Sequence, residues 1–367
     1  MSLLINKPRA VSSLDAGANT GAQISLTLRP LPGEGMEAVC RRLAATLRER
    51  EATPLHLLVF GDRRARAATN EAFRHYLGLA DWPVTWVEGA ACDGSPLAGV
   101  QVHAFTGDVE RLERHGRMLG SVFTEGGARQ CLLGGLTAAD KSLSRPGQTG
   151  QTLDQLQALL ASVGFDLGDL VRTWFFLEDI LSWYDAFNQT RTQFYAGIPF
   201  RTGAAPASTG VGAKNPADTA LALAAWAYRP LADNARAEAV ASPRQCPAPA
   251  YGSAFSRALE LASDAGRRLF ISGTASIAPG GKTLWPGEVR QQVDQTMEVV
   301  GAILQSRGFT PAQLTRATAY FRRPGDARVF TEWLAAHRWA DLPVVVAHCD
   351  ICREDLLFEL EAEAERP

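Results

Sequence analysis

The residues best suited to chemistry lie near the carboxyl end of the chain, in the segment "DICREDLLFELEAEAER", residues 350–366. Apolar and acidic residues alternate there, so a β-strand would place Glu359, Glu361 and Glu363 on one face. A carboxylic acid can donate a proton to a substrate when burial or a like charge raises its pKa, and Glu361, Asp350 or the carboxylates of a substrate could supply such a charge. The alternative is a solvated face on which these carboxylates do no chemistry.

Cysteine and histidine spacing argues against a metal centre. Cys349 and Cys352 form a CxxC pair, but no second pair of Cys or His residues follows at zinc spacing, and the sequence contains no HExxH. A chain of this length folds without disulfides, so we expect its six cysteines to be reduced. The sequence predicts neither a metal nor another cofactor.

Composition excludes other classes of function. The net charge of −2 and the absence of Lys/Arg clusters interleaved with aromatic residues argue against nucleic-acid binding. No apolar run reaches membrane-spanning length, and the opening "MSLLINKPRAVSS" has too short an apolar core for a signal peptide. The sequence therefore predicts a cytoplasmic protein that does not contact membranes.

The order of predicted elements occurs three times along the chain. Each copy has a hairpin-like stretch, an amphipathic helix, an apolar strand, a second helix, a Pro and closing strands, which predicts β-β-α-β-α-β-β units with helices on one face of a mixed sheet. We place the units at 1–118, 119–240 and 241–367, with the Pro/Ala-rich "ASPRQCPAPAYG" as a linker. Chance similarity between α+β patterns is the alternative.

Comparison of the three closing strands singles out the third of them. We align "GVQVHAF", "ALALAAW" and "LFELEAE" so that Gln101 and Ala222 correspond to Glu359. A purely solvated face would tolerate charge in every copy, yet only the third copy carries carboxylates. We therefore expect this strand of the third copy to carry a functional acid.

Several segments resemble known families. "LVRTWFFLEDILSWYDAFNQTRTQFY" and "LFISGTASI" are similar to the Rid/YjgF family, whose subunits form trimers with ligand sites between neighbours. More specifically, "RTWFFLEDI", "FNQTRTQF", "PASTGVG", "YGSAFSRA", "LFISGTASI" and "CREDLLFELE" occur in the order found in chorismatases, which are tandem Rid-like enzymes that remove pyruvate from chorismate. This resemblance spans residues 119–367, and the first unit matches only in pattern.

The resemblance implies a fold and a reaction. The fold is α+β, with tandem Rid/YjgF-like, chorismate-mutase-like units packed as an intramolecular pseudo-trimer around a β-barrel-like core, so that the chain acts as a monomer. Glu359 resembles the catalytic Glu of Rid proteins and the general acid of chorismatases, so we expect it to be functional. Glu361 and Glu363 lack this match and are expected to be surface or supporting groups. The implied substrate is chorismate, whose enol ether is protonated before pyruvate leaves.

Three arginines are candidates to hold the carboxylates of such a substrate, because the planar guanidinium binds both oxygens of a carboxylate. Arg172 lies in "VRTW", which resembles the chorismatase segment that supplies such an Arg. Arg201, before "PASTG", and Arg257, in "FSRA", are further candidates. For these two the alternative is a surface ion pair or a loop tether.

Four more residues complete the predicted site. Tyr251 could place its hydroxyl against the substrate, although a buried Tyr is commonly part of the core. "STGVG" and "SGT", the latter with Gly273 and Thr274, are interpreted as turns whose N–H groups bind a carboxylate. Cys352 resembles the residue of the chorismatase branch that makes 3-hydroxybenzoate, where a ring hydroxyl rather than water displaces the side chain. A small buried apolar residue is the alternative for Cys352.

Two other functions stay open at this point. Rid imine deaminases bind the substrate carboxylate through an Arg after the Pro of the final loop, but this chain has Ala207 after Pro206 and Val344 after Pro343. The missing Arg favours chorismate over a small imine. The other alternative is a non-catalytic metabolite-binding module, which needs no acid with a raised pKa. The first unit has no recognisable site residues and is expected to close the pseudo-trimer.

Overall fold

The computed structural model describes residues 21–31, 33–78, 81–337 and 339–367. The amino-terminal segment that we interpret as too short for a signal peptide lies outside the described residues. Among the helices of the described ranges, none is both long and apolar enough to cross a membrane.

Three successive sets of strands and helices make up the fold. The first set is β1 (Gln23–Leu28), α1 (Met36–Glu49), β2 (Thr53–Gly61), α2 (Arg66–Leu77), β3 (Val84–Val87), β4 (Ala90–Ala91) and β5 (Leu97–Phe105). The second is β6 (Glu110–Arg114), β7 (Arg117–Glu125), β8 (Ala128–Leu136), α3 (Arg145–Ser162), β9 (Leu170–Leu177), α4 (Tyr184–Tyr195), β10 (Ala207–Gly212) and β11 (Leu221–Pro230). The third is β12 (Arg236–Val240), β13 (Ala258–Ser263), β14 (Gly266–Ala275), α5 (Val289–Ser306), β15 (Leu314–Phe321), α6 (Ala327–Ala336), β16 (Val344–His348) and β17 (Phe358–Arg366).

The strands form three open sheets. Their orders are β1-β5-β2-β3, β10-β9-β11-β8-β7-β6 and β12-β13-β14-β17-β15-β16-β4. In each sheet the strands on either side of the second helix pair in parallel, and the closing strand pairs antiparallel with the first of them. This shared pattern confirms the predicted repeat and the α+β class.

The predicted order of elements differs from the structure in its opening strands. Three strands precede the first helix of the second and third sets, whereas the described part of the first set has only β1 there. The second set of strands begins at Glu110 and the third at Arg236, ahead of the boundaries that we place after residues 118 and 240. Those boundaries therefore stay predictions.

The inner faces of the three sheets share one apolar core. None of the sheets closes into a barrel, so the predicted barrel-like core is a core enclosed by three open sheets. Its large members include Leu58, Phe60, Trp174, Phe176, Trp226, Phe270 and Tyr320, which come from all three sets. The helix pairs cover the outer faces through three separate apolar clusters.

An aromatic cluster marks the pseudo-threefold centre. The ring centroid of Phe60 lies 6.1 Å from that of Phe176 and 6.1 Å from that of Tyr320, and each contact is edge-to-face. One ring comes from each set, at the same place in strands β2, β9 and β15. The three units are therefore packed as an intramolecular pseudo-trimer.

The strand register corrects one comparison made from the sequence. Phe60 pairs with Gly99 and Phe176 pairs with Ala222, as Tyr320 pairs with Glu359. Ala222 therefore corresponds to Glu359 as predicted, but the residue of the first unit is Gly99, and the choice of Gln101 is wrong by two positions. The three positions are Gly, Ala and Glu, so the argument for a single acid still holds.

We expect Phe176→Ala to destabilise the protein strongly, because removing a fully buried ring at the centre leaves a cavity. Large-to-small substitutions of this kind cost about 3–5 kcal/mol. The matched control is Leu231→Ala, whose side chain is 61% exposed, and which should change stability by less than about 0.5 kcal/mol. The check is the midpoint of urea unfolding, and similar small shifts for both variants would contradict the central role of the cluster.

Candidate active site

The three glutamates of β17 face the protein interior. Glu359, Glu361 and Glu363 are 4%, 0% and 1% exposed, because β17 lies between β14 and β15 inside the third sheet and its acidic face meets the second sheet. The solvated-face alternative is therefore wrong, and Glu361 and Glu363 are not surface groups. A buried carboxylate needs partners, and the three residues differ in the partners that they have.

Glu361 is held by a complete set of donors. Its carboxylate accepts hydrogen bonds from Arg172 Nη2 at 2.5 Å, Thr209 Oγ1 at 2.6 Å, Thr318 Oγ1 at 3.0 Å, Tyr320 Oη at 3.2 Å and Arg316 Nη2 at 3.2 Å. Arg172 and Thr209 belong to the second sheet, and the other donors belong to the third. Glu361 therefore links the two sheets as a charged, fully buried group.

Glu363 continues this network towards the first unit. It accepts a hydrogen bond from Arg316 Nη1 at 2.7 Å, and its Oε1 lies 3.5 Å from His103 Nε2. Gln101 also contacts the third sheet, donating to the Ala317 carbonyl at 2.7 Å. The first unit thus closes one side of the polar core, as we expected.

Glu359 lacks such partners. Among the described residues, no side chain or backbone group donates a hydrogen bond to its carboxylate. Burial, followed by the charge of Glu361, raises the pKa of Glu359 to about 8, while Arg172 and Arg257 act in the opposite direction. Glu361 therefore supplies the like charge, whereas Asp350 lies 3.9 Å from Arg322 Nε. Glu359 is mostly protonated at neutral pH.

A glycine makes room for this acid. Gly273 faces Glu359 from β14, next to an irregularity in the β14–β17 pairing, and a Cβ atom there would overlap Glu359 Oε1. The Gly273 N–H donates to Thr209 Oγ1 at 3.1 Å. The segments that we interpret as turns, 208–212 and 272–274, are in fact parts of β10 and β14. Thr274 donates its hydroxyl to the Ser272 carbonyl at 2.8 Å rather than to the site.

Two predicted arginines come together beside Glu359. Arg172 and Arg257 are both buried, and each keeps N–H groups without a partner: Nε and Nη1 of Arg172, and Nη2 of Arg257. Arg257 donates from Nε to the Cys246 carbonyl at 3.0 Å, and its guanidinium lies 5.2 Å from the ring centroid of Tyr251. Buried donors of this kind are satisfied when an anion binds.

A third buried arginine was missed from the sequence. Arg191 on α4 donates to Asn188 Oδ1 at 2.7 Å, has no carboxylate partner among the described residues, and keeps an unpartnered Nε. Arg191 and Arg257 flank the same ring, that of Phe255, at 5.8 and 5.5 Å. The signal was available, because Arg191 follows Phe187 by four residues and so lies on the buried face of α4.

Cys352 lies next to the acid as a neutral thiol. Burial, together with the charge of Glu359, raises the pKa of Cys352 to about 12, and the Tyr184 side chain forms a hydrogen bond with it. Tyr184 and Tyr251 both lie within electrostatic reach of Cys352. The structure therefore brings Glu359, Cys352, Tyr251, Arg172 and Arg257 together, with Tyr184 as a second residue that the sequence did not indicate.

Arg201 lies elsewhere. Its Nε is 2.6 Å from Asp169 Oδ1 and its Nη2 is 2.7 Å from Asp166 Oδ2, and the side chain is 47% exposed. This arrangement matches the surface ion pair that we gave as the alternative, so Arg201 is not part of the cluster.

The other two clefts have the same framework without an acid. Between the first and second sheets, His56 takes the place of Arg172, with its Nε2 2.8 Å from Thr85 Oγ1, and Ala222 takes the place of the acid. Between the third and first sheets, Gly99 packs against Val345 so closely that a Cβ would lie 2.7 Å from it. Of the three equivalent positions, Gly99, Ala222 and Glu359, the one between the second and third sheets therefore carries an acid.

The chemistry of the site follows from these contacts. A protonated carboxylic acid lies beside two buried guanidinium groups with unused donors, those of Arg172 and Arg257, and Arg191 flanks the Phe255 ring that Arg257 also contacts. This arrangement suits proton transfer to a bound anion. Within the described ranges, no three His, Cys, Asp or Glu side chains are arranged to hold a metal ion. The fold and the site together define a protein of three similar fused units, with one buried acid between the second unit and the third.

Comparison with known proteins gives the family. No protein-family model matches the chain. A chorismatase of Streptomyces hygroscopicus is 30% identical over 243 residues, which cover 59% of this chain and 69% of that protein. A chorismatase of Streptomyces rapamycinicus is 29% identical over 225 residues, covering 55% of this chain and 65% of that protein. The chain belongs to the chorismatase family.

Further matches agree with this assignment. A 3-hydroxybenzoate synthase of Streptomyces hygroscopicus is 26% identical over 224 residues, covering 54% of this chain and 64% of that protein. A chorismatase crystal structure superposes with a TM-score of 0.68 and 21% identity, covering 95% of this chain and all of that one, which shows a shared fold.

We expect Gly273→Ala to reduce chorismatase activity by about 10²-fold, because the new methyl group must displace the Glu359 carboxylate. We expect this carboxylate to take part in the reaction, and small misplacements of groups that do so have effects of this size. The matched control is Gly301→Ala in the same unit, where an added Cβ meets no atom within 4 Å. Turnover of both variants is compared at one pH. Equal activity of the two variants would contradict the close approach of Gly273 to the acid.

Proposed function

We propose that this protein removes the enolpyruvyl side chain of chorismate as pyruvate and forms 3-hydroxybenzoate, with Glu359 as the general acid. The observation that carries the proposal is a buried carboxyl group whose pKa is raised to about 8, next to Arg172 and Arg257 with unused N–H donors. An acid in this state is protonated near neutral pH, as an enol ether requires.

The proposed reaction begins with proton transfer. Glu359 gives its proton to the terminal methylene carbon of the enol ether, which creates an oxocarbenium ion in the side chain. The bond between the ring carbon and the ether oxygen then breaks, the neighbouring ring hydroxyl oxygen bonds to that carbon, and pyruvate leaves. The hydroxyl proton released in this step restores protonated Glu359. The ring intermediate then isomerises to the aromatic product, and no water is consumed.

Three guanidinium groups support the binding of a dianion. Arg172, Arg191 and Arg257 all retain buried N–H groups without partners, and none of the three is consumed entirely by a protein carboxylate. Chorismate carries one carboxylate on its ring and one on its side chain, and Arg pairs well with carboxylates in dry sites. We propose that these arginines divide the two carboxylates between them.

The proposed product rests on Cys352. This neutral thiol lies beside Glu359 and packs with apolar residues such as Ile351 and Leu356, which limits the space for an attacking water. The similarity to a 3-hydroxybenzoate synthase supports the same product. We also propose that the chain acts as a cytoplasmic monomer, since one chain supplies both sides of the cleft and its six cysteines are free thiols.

The site favours this function over the two alternatives. Position 207, where Rid imine deaminases have a carboxylate-binding Arg, is a buried Ala here. A non-catalytic binding module would gain nothing from burying an acid without a hydrogen-bond donor, because that burial destabilises the ionised form.

We expect purified protein to release pyruvate from chorismate, and Glu359→Gln to lower the rate by about 10²–10⁴-fold, the usual contribution of a general acid. Glu354→Gln is the matched control, because Glu354 lies on the exposed loop before β17. Pyruvate is followed by a coupled assay. Absence of release by the unmodified protein would refute the proposed reaction, and an undiminished rate in Glu359→Gln would refute the role of the acid.

In the same assay, kcat/KM should depend on pH through the protonation of Glu359. The active form is the protonated acid, so kcat/KM stays level below a pH of about 8 and falls above it, by about tenfold per unit. Activity that instead rises through this range would indicate a general base.

We expect chromatography of the aromatic product to show mainly 3-hydroxybenzoate. Cys352→Ala removes the sulfur and opens space for water, so its product mixture should contain more dihydroxycyclohexadienoate. Cys131→Ala, at a buried thiol of the second unit, serves as the control and should leave the ratio unchanged. A dihydroxycyclohexadienoate as the main product of the unmodified protein would reject the argument from Cys352.

A further inference from the structure

Glu361 accepts more hydrogen bonds than either of the other two acids of β17, Glu359 and Glu363. Five donors converge on one carboxylate, and two of them are arginines from different sheets. Glu361 is also the acidic neighbour of Glu359 on the same face of β17, at i+2 along the strand, or about 7 Å between Cα atoms.

We propose that Glu361 is a positioning residue, whose buried negative charge keeps the proton on Glu359 and whose carboxylate orients Arg172 towards the substrate. The proposal rests on the function proposed above and adds a residue to it. Glu361 does not contact the reacting atoms, because its oxygens are occupied by protein donors.

The orientation of Arg172 is the first part of the argument. Nη2 of Arg172 is shared by Glu361 and by Thr209 Oγ1 at 2.6 Å, and the guanidinium lies 4.7 Å from the ring centroid of Trp174. These contacts fix the plane of the guanidinium and leave Nε and Nη1 unused. Without Glu361, Arg172 would lose its only ion-pair partner among the described residues.

The local charge is the second part. The titratable groups in reach of Glu359 are Glu361 on its own strand, Arg172 on β9, Arg257 before β13, Tyr184 on α4, and Cys349 and Cys352 before β17. Since the thiols and the phenol are neutral at pH 7, the charged neighbours are one carboxylate and two guanidiniums. Removal of the carboxylate leaves only groups that favour ionised Glu359.

Glu363 provides the matched comparison on the same strand. It is as buried as Glu361 and also binds Arg316, but it lies i+4 from Glu359, or about 13 Å along the strand. It is not among the groups that shift Glu359. Glu363→Gln therefore controls for the loss of a buried carboxylate from the fold, without changing the electrostatic field at Glu359.

The test measures protonation of Glu359 in two ways. The first measurement is an infrared titration of the free protein, which follows the carbonyl band of protonated Glu359. This band is identified by subtracting the spectrum of Glu359→Gln from that of the unmodified protein. In the Glu361→Gln variant it is identified by subtracting the spectrum of the double variant Glu359→Gln/Glu361→Gln. The second measurement is the alkaline limb of kcat/KM for chorismate. Glu361→Gln should lower the infrared midpoint and the kinetic midpoint by at least about one pH unit, which is a tenfold change in the proton equilibrium. It should also raise KM for chorismate. Glu363→Gln should leave both midpoints unchanged.

Breaking a buried ion pair can prevent folding, so a milder variant accompanies the test. Tyr320→Phe removes only the hydroxyl that donates to Glu361 at 3.2 Å. Its expected effect is opposite in sign, because the less compensated carboxylate holds the proton on Glu359 more strongly. An infrared midpoint that does not move in either variant, or moves equally in Glu363→Gln, overturns the proposal.

The two measurements separate this inference from the proposed function. The infrared midpoint needs no substrate, so an absence of pyruvate release leaves it intact as a test of Glu361 and refutes only the reaction. An unchanged KM in Glu361→Gln, with a shifted midpoint, would refute the orientation of Arg172 and retain the effect on Glu359.

Discussion

Arg172 and Glu361 form a buried ion pair, 2.5 Å long, that joins the second sheet to the third. Removing two charges from water is unfavourable unless every remaining donor and acceptor is satisfied, so the pair constrains its surroundings. Thr209 from β10 and Thr318 from β15 donate to the carboxylate of Glu361, whereas Nε and Nη1 of Arg172 keep no partner. These contacts fix the two sheets against each other, and Glu359 lies buried beside Arg172 at their junction.

Much of the fold could be predicted because its signals are local. Helix and strand periodicity repeats three times, and the resemblance to chorismatases points to Glu359, Arg172 and Arg257. The register of the first unit could not be predicted, because the position of a strand in a sheet depends on backbone pairing with distant segments. That is why Gly99, rather than Gln101, lies opposite Phe60.

The same limit explains what was missed in the site. Strict alternation in "FELEAE" is typical of a strand with one wet face, and nothing within the segment reveals partners. The partners of Glu361 come from segments as far as 189 residues away in sequence, as in the pair with Arg172. The helical spacing from Phe187 places Arg191 on the buried face of α4, but its contact with Phe255 could not be predicted, because that contact depends on how the second and third units pack.

The unequal clefts show what covalent fusion permits. In a trimer of identical chains, every interface must carry the same residues, so each catalytic acid would be buried three times over. Here one chain holds Gly99, Ala222 and Glu359 at the three equivalent positions. The three units share the same strand pairing but carry different side chains at these positions. Two interfaces thereby bury no carboxyl group at this position, while the third buries one that accepts no hydrogen bond from the described residues.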